Sequence, residues 1–104
     1  MLQRRDSLRM RASQNPALIK AFAAELKARR LGMGLSQEGL ALDCGVNRTF
    51  VAKLELAHNQ SSLSVLLRLA EGLGVDLSEL ISSTLVRYKR ELRATKKLKA
   101  EASD

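Results

Sequence analysis

Arg48, Thr49, Ala52 and Lys53 are spaced so that on a helix they share one face, opposite Val51 and Leu54. An arginine on such a face can donate two hydrogen bonds to guanine O6 and N7, and a lysine can donate to the same atoms. Threonine offers a hydroxyl and a methyl, the latter suited to thymine. The same residue types also make an ordinary solvated helix face, and the surrounding elements decide between the two. Gln37, at the start of the preceding segment, has two readings of its own. With the free N–H groups of a helix start it can hold a phosphate, or it can simply be a residue that suits a first turn. Asn47, His58 and Asn59 flank the 48–55 segment as further polar groups within reach of a backbone phosphate.

Other chemistries are poorly supplied. One cysteine, Cys44, and one histidine cannot make a zinc site within one chain, and Cys44 reads as a small core residue. No glycine-rich phosphate loop or nucleophile motif is present, so neither an enzyme nor a cofactor is expected. A single cysteine also excludes an internal disulfide and suits a cytoplasmic setting. No apolar run approaches the roughly 18 residues of a membrane span, and MLQRRDSLRMRASQ lacks the apolar centre of a signal peptide.

The elements that would position these residues are helical. Hydrophobic residues make up 45% of the chain and aromatics only 3%, so the core must be built from Leu, Val, Ile and Ala. Asn15 caps a first helix with Pro16 at its first position and Ile19, Phe22, Ala23 and Leu26 as its apolar stripe. Lys27, Arg29 and Arg30 fill the last turn, and Gly32 and Gly34 end it. Ser36 caps a second helix that buries Leu40, Ala41 and Cys44 and stops at Gly45. Asn47 caps a third, ending near Glu55, and residues 56–61 read as a loop. Ser62 caps a fourth, whose apolar residues run from Leu63 to Leu73 before Gly74. Asp76 and Glu79 open a short fifth helix bearing Leu77, Leu80 and Ile81. Leu85, Tyr88 and Leu92 keep a helical spacing after it, whereas residues 93–104 read as frayed or disordered.

Charge divides the chain as the helices do. Residues 16–81 carry seven basic and seven acidic side chains, whereas residues 1–15 add +3 and residues 82–104 add +4. The expected organisation is a basic N-terminal arm (1–15), a neutral helical body (16–81) and a basic, partly helical or disordered extension (82–104). Such an arrangement suits a polyanion, and basic tails also serve solubility.

Residues 37–54 carry the strongest pattern: two short helices, a tight turn at Gly45, the small Ala41 at the crossing, and Val46 plugging the joint. The stretch GLSQEGLALDCGVNRTFVAKLE, followed by NQSSLSVLLRLAEGLGVDLSELI, resembles the phage-repressor family of helix-turn-helix domains. That family includes Cro and repressor proteins, antitoxins and restriction–modification controllers. The likeness covers about residues 18–81, and the Asn-Arg-Thr-Phe and Asn-Gln-Ser-Ser-Leu segments are most similar to the controllers.

The resemblance implies an all-α, five-helix, single-domain fold. It also implies a transcriptional repressor or controller of bacterial or phage origin that binds a palindromic operator in duplex DNA. Arg48, Thr49, Ala52 and Lys53 would touch bases, and Gln37, Asn47, His58 and Asn59 phosphates. Because one recognition helix reads few base pairs, a homodimer is expected, with Leu77, Leu80, Ile81, Leu85 and Tyr88 at its interface. No small-molecule ligand is implied. Leu56-Ala57 stands where Arg-Gly is usual, so Asn59 is expected to supply the left-handed turn. Gly39 and Ser61 also depart from the pattern, in place of an acidic residue and a proline. Phe50 is divided between the core and the DNA backbone.

The alternative is a protein-interaction module or antitoxin on the same scaffold, whose third helix would show an acidic or apolar outer face. The observed Arg, Thr and Lys argue against it. A single-strand binder would need exposed aromatics for stacking, and the chain has two Phe and one Tyr. The basic flanks, including Arg4, Arg5, Arg9 and Arg11 at one end and Lys89 to Lys99 at the other, are expected to supply nonspecific attraction to DNA.

Overall fold

The computed structural model describes residues 14–102. They form α1 (Pro16–Gly32), α2 (Gln37–Cys44), α3 (Arg48–Glu55), α4 (Leu63–Leu73) and α5 (Leu77–Ala102), with no strand among the described residues. Four helix starts are fixed by the residue before them. Asn15, Ser36, Asn47 and Ser62 each accept a backbone N–H three positions on, from Leu18, Gly39, Phe50 and Val65. Each bond satisfies one of the donors that a helix start leaves without a partner.

α1 packs along α5, and α2 packs on α3 and α4. The core at their meeting contains Phe22, Leu26, Leu40, Ala41, Cys44, Val51, Leu54, Leu69, Ala70, Leu73 and Leu80. Leu26, Leu40, Val51, Leu69 and Leu80 are fully buried. Phe50 is half-buried and packs against this cluster. Leu63 and Leu67, expected on the apolar side of α4, are 74% and 50% exposed.

Gly72 marks a close approach of two helices. A Cβ added there would lie 2.2 Å from Cys44 Sγ and 3.2 Å from the Cys44 backbone nitrogen. Glycine lets α4 lie directly on the end of α2. Cys44 is buried there, and its thiol faces the Leu69 carbonyl at 3.9 Å. Burial, together with the charge of Asp43, pushes its pKa up, as suits a packing residue rather than a nucleophile.

The C-terminal part departs from expectation. The fifth helix is not short: α5 takes in the helical spacing of Leu85, Tyr88 and Leu92 and continues to Ala102, through residues 93–102 that read as frayed or disordered. Contacts with α1 hold its first half. Arg87 Nε donates to Glu25 Oε1 at 2.7 Å, Arg29 Nη2 donates to the Ser83 hydroxyl at 2.9 Å, and Lys20 pairs with Glu91 at 3.6 Å. Beyond Glu91 there is no Gly or Pro to interrupt the helix, and Leu, Arg, Lys, Ala and Glu favour its continuation.

Candidate nucleic-acid interface

Two helices and one turn position the candidate site. α2 ends at Gly45, whose φ of 69° lies in the left-handed region that glycine enters at no steric cost. The Val46 N–H returns to the Ala41 carbonyl at 3.0 Å, closing the turn. Asn47 then caps α3, and its Oδ1 accepts the Phe50 N–H at 2.8 Å. This use leaves the Asn47 side-chain N–H groups to donate elsewhere.

Val51 and Leu54 hold α3 to the core, so its opposite face turns outward. Arg48, Thr49 and Lys53 are exposed and Ala52 is half-buried between them, so the four lie together on one open surface. His58 is exposed just beyond the C-terminus of α3. Asn59 is half-buried and helps to line a largely apolar cavity of about 240 Å³ beneath the α3–α4 loop, with Leu18, Phe22, Leu66, Ile81 and Leu85.

The turn after α3 corrects one expectation. Asn59 does not supply the left-handed residue; Ala57 does, with φ 59°. The Ala57 N–H donates to the Leu54 carbonyl at 3.1 Å, and the His58 N–H to the Lys53 carbonyl at 2.9 Å. These bonds satisfy the last carbonyls of α3 and require the residue one past its cap to be left-handed. That residue is Ala57, whatever side chain it bears.

Gln37 is tied into the protein. Its Nε2 donates to Glu55 Oε1 at 3.1 Å. Arg30 grips the same carboxylate with two bonds, Nε to Oε2 at 2.5 Å and Nη2 to Oε1 at 2.9 Å, while its Nη1 donates to the Leu35 carbonyl at 2.8 Å. Both charged side chains are buried, Arg30 at 9% and Glu55 at 3% exposure. Burial pushes the Glu55 carboxyl up, but the hydrogen bonds of Arg30 and Gln37 outweigh it and hold the pKa below the usual carboxylate range. The same hydrogen bond to Glu55 raises the Arg30 pKa.

Sequence reading missed this constellation. Arg30 there served only the end of α1, and Glu55 only marked the end of α3. Their separation of 25 residues leaves no local period to betray them.

The residues expected at a dimer interface divide. Leu80 is fully buried, so its side chain serves the fold of one chain and is not available to a partner. Leu77 packs against the core from a half-buried position. The Tyr88 hydroxyl accepts from Asn15 Nδ2 at 3.1 Å. Ile81 and Tyr88 are half-buried and Leu85 is exposed, so these three reach the surface. Arg4, Arg5, Arg9 and Arg11 lie outside the described residues.

No group of three or more potential metal ligands occurs among the described residues, nor is any helix among them long and apolar enough to cross a membrane.

Comparison with known proteins fits this geometry. No curated protein sequence matches the chain significantly. Solved structures do. The restriction-modification controller protein C.AhdI from Aeromonas hydrophila is 35% identical over 62% of this chain and 94% of its own, with a TM-score of 0.60. A hypothetical transcription factor, NHTF from Neisseria, is 35% identical over 61% of this chain and 72% of its own, with a TM-score of 0.58. The clp gene regulator ClgR from Corynebacterium glutamicum covers 82% of this chain and 88% of its own with a TM-score of 0.69, and at 21% identity it shares the fold. The helix-turn-helix family matches residues 26–80, which run from the middle of α1 through the fully buried Leu80 and include α2, α3 and α4 entire. The chain belongs to the Cro/C1-type helix-turn-helix family of DNA-binding transcriptional regulators.

Proposed function

We propose that this regulator reads a palindromic operator in duplex DNA as a homodimer and acts as a repressor or controller of transcription. The observation that carries the reading is the outward face of α3. There Arg48, Thr49 and Lys53 are exposed around Ala52, while Val51 and Leu54 anchor the opposite side. A face of this kind fits the major groove and offers donors to guanine and a methyl to thymine.

Gln37 and Asn47 stand at the starts of α2 and α3, where first-turn N–H groups without intrahelical partners favour phosphate. His58 and Asn59 flank the far end of α3 and serve the adjacent backbone. The likeness to C.AhdI supports a controller role, in a bacterial or phage-infected cytoplasm. Ile81, Leu85 and Tyr88 form the part of the expected dimer surface that remains open, and two-fold pairing would set half-sites about 34 Å apart.

Selection of bound duplexes from a random pool tests the reading directly. The expected result is a short inverted repeat, bound at one dimer per site. Recovery of no common sequence would overturn it.

A further inference from the structure

The second half of α5 is a continuous helix that leaves the body of the protein and carries a large excess of positive charge. Glu91, paired with Lys20, is the last residue tied to α1; every residue from Leu92 to Ala102 is exposed. At 1.5 Å per residue these eleven residues project about 16 Å. Lys89, Arg90, Arg93, Lys96, Lys97 and Lys99 are all exposed, and none takes part in an ion pair with another described residue. From Arg87 to Ala102 seven basic residues face two acidic ones, Glu91, which Lys20 already engages, and Glu101 in the last turn.

The cations are not scattered around the helix. Lys89, Arg93, Lys96 and Lys97 fall at positions i, i+4, i+7 and i+8 and share one side. Arg87, by contrast, points to α1 and is spent on Glu25. The rise from Lys89 to Lys97 is about 12 Å, the axial length over which one DNA strand presents three to four phosphates. A helix that concentrates cations well in excess of its carboxylates is matched by a regular polyanion.

The direction of the helix agrees. Ile81, Thr84 and Leu85 line the cavity beneath the α3–α4 loop, and Tyr88 and Glu91 meet the first turns of α1 at Asn15 and Lys20. The extension therefore leaves past the first turns of α1, whose Pro16, Ile19 and Lys20 border one hollow with Leu56, Ala57 and His58 of the loop after α3. The matched family region ends at residue 80, so this arm lies beyond it.

We infer that the basic side of α5 is a second DNA contact, which binds the phosphate backbone of duplex flanking the site read by α3. The inference rests on the proposed duplex binding and adds a contact that carries no base preference.

The test uses the full chain and a variant in which Arg93, Lys96 and Lys97 are all replaced by Gln. Binding is measured against salt on the selected operator, both trimmed to the recognised site and lengthened by one helical turn at each end. On the long duplex the variant should lose roughly 2 to 3 from the magnitude of the log–log salt slope, about 0.9 for each phosphate released. Its base preference, thermal unfolding and sedimentation should be unchanged, and on the trimmed duplex it should match the parent. An Arg48→Ala variant should do the reverse, losing preference while keeping most of the slope. An unchanged slope in the triple variant, while the parent binds, overturns the α5 contact and leaves the α3 reading intact. Equal loss on both duplexes overturns the flanking placement. Failure of the parent to bind any duplex overturns both readings. If the triple substitution abolishes binding to phosphatidylserine vesicles but not to DNA, the face serves membrane headgroups and the inference fails.

Discussion

Arg30 and Glu55 form a buried, two-pronged ion pair that joins the end of α1 to the end of α3. Gln37 adds a third bond to the same carboxylate, so the start of α2 and the end of α3 are held to one point. The orientation of the outward face of α3 therefore depends on a side chain outside the two-helix motif. Removing one partner would leave a buried charge without compensation, at a cost of about 3–5 kcal/mol. Arg30→Ala should lower stability by that order in denaturant titration, with Glu55→Ala alike. The double variant should cost less than the sum.

Acid should act through the same pair and through Glu25, whose pKa is also held low. Burial raises it, but hydrogen bonds from Arg87 and Arg29 outweigh this. For a carboxylate depressed in the folded state, the stabilisation is present above the unfolded pKa, near 4.3, and is lost as pH falls through the folded value. Unfolding free energy should therefore decline as pH falls below about 5. Glu25→Gln and Glu55→Gln should each flatten that decline when chemical denaturation is followed at several pH values.

Ala57 in the left-handed region carries a strain of about 1–2 kcal/mol that glycine would not. Part of the gain from Ala57→Gly is offset by the greater freedom of glycine in the unfolded chain. A net stabilisation of about 0.5–1 kcal/mol is expected, seen as a rise in Tm of a few degrees. The same change at Asn59 should not stabilise.

Gly72→Ala should be harmful although alanine is the better helix former. Its methyl would stand 2.2 Å from Cys44 Sγ, and overpacking of this kind costs about 1–3 kcal/mol. Adding Cys44→Ala removes the sulfur but not the backbone contact at 3.2 Å. The double variant should recover part of the loss, a coupling that thermal unfolding of the four proteins would measure.

On the outward face of α3 proposed to read DNA, Arg48→Ala should cost about 1–3 kcal/mol in operator affinity and relax preference at one base pair. Gln37→Ala should weaken all sequences alike, because phosphates carry no code. It should also lower stability, because Glu55 loses a donor. Binding curves on the operator and on single-base variants would separate the two patterns.

Much of this architecture was legible in residue order because it is decided within a few positions. Asn15, Ser36, Asn47 and Ser62 each cap a helix by reaching three residues forward. Gly45 turns the chain, and the spacing of Val51 and Leu54 chooses which side of α3 is buried. What tertiary structure alone decided involves groups far apart in sequence or bonds competing for one position. Arg30 meets Glu55 across 25 residues and Glu25 meets Arg87 across 62, and neither separation leaves a periodic trace. Leu80 looked like a contact for a second chain because its burial depends on helices gathered from the whole fold. Ala57 took the left-handed turn because the carbonyls of Lys53 and Leu54 fix where α3 must close, and geometry there outweighed residue preference. α5 is fixed to α1 as far as Glu91 by partners for Ser83, Arg87 and Glu91, and beyond it the helix-favouring residues continue without a Gly or Pro to stop them.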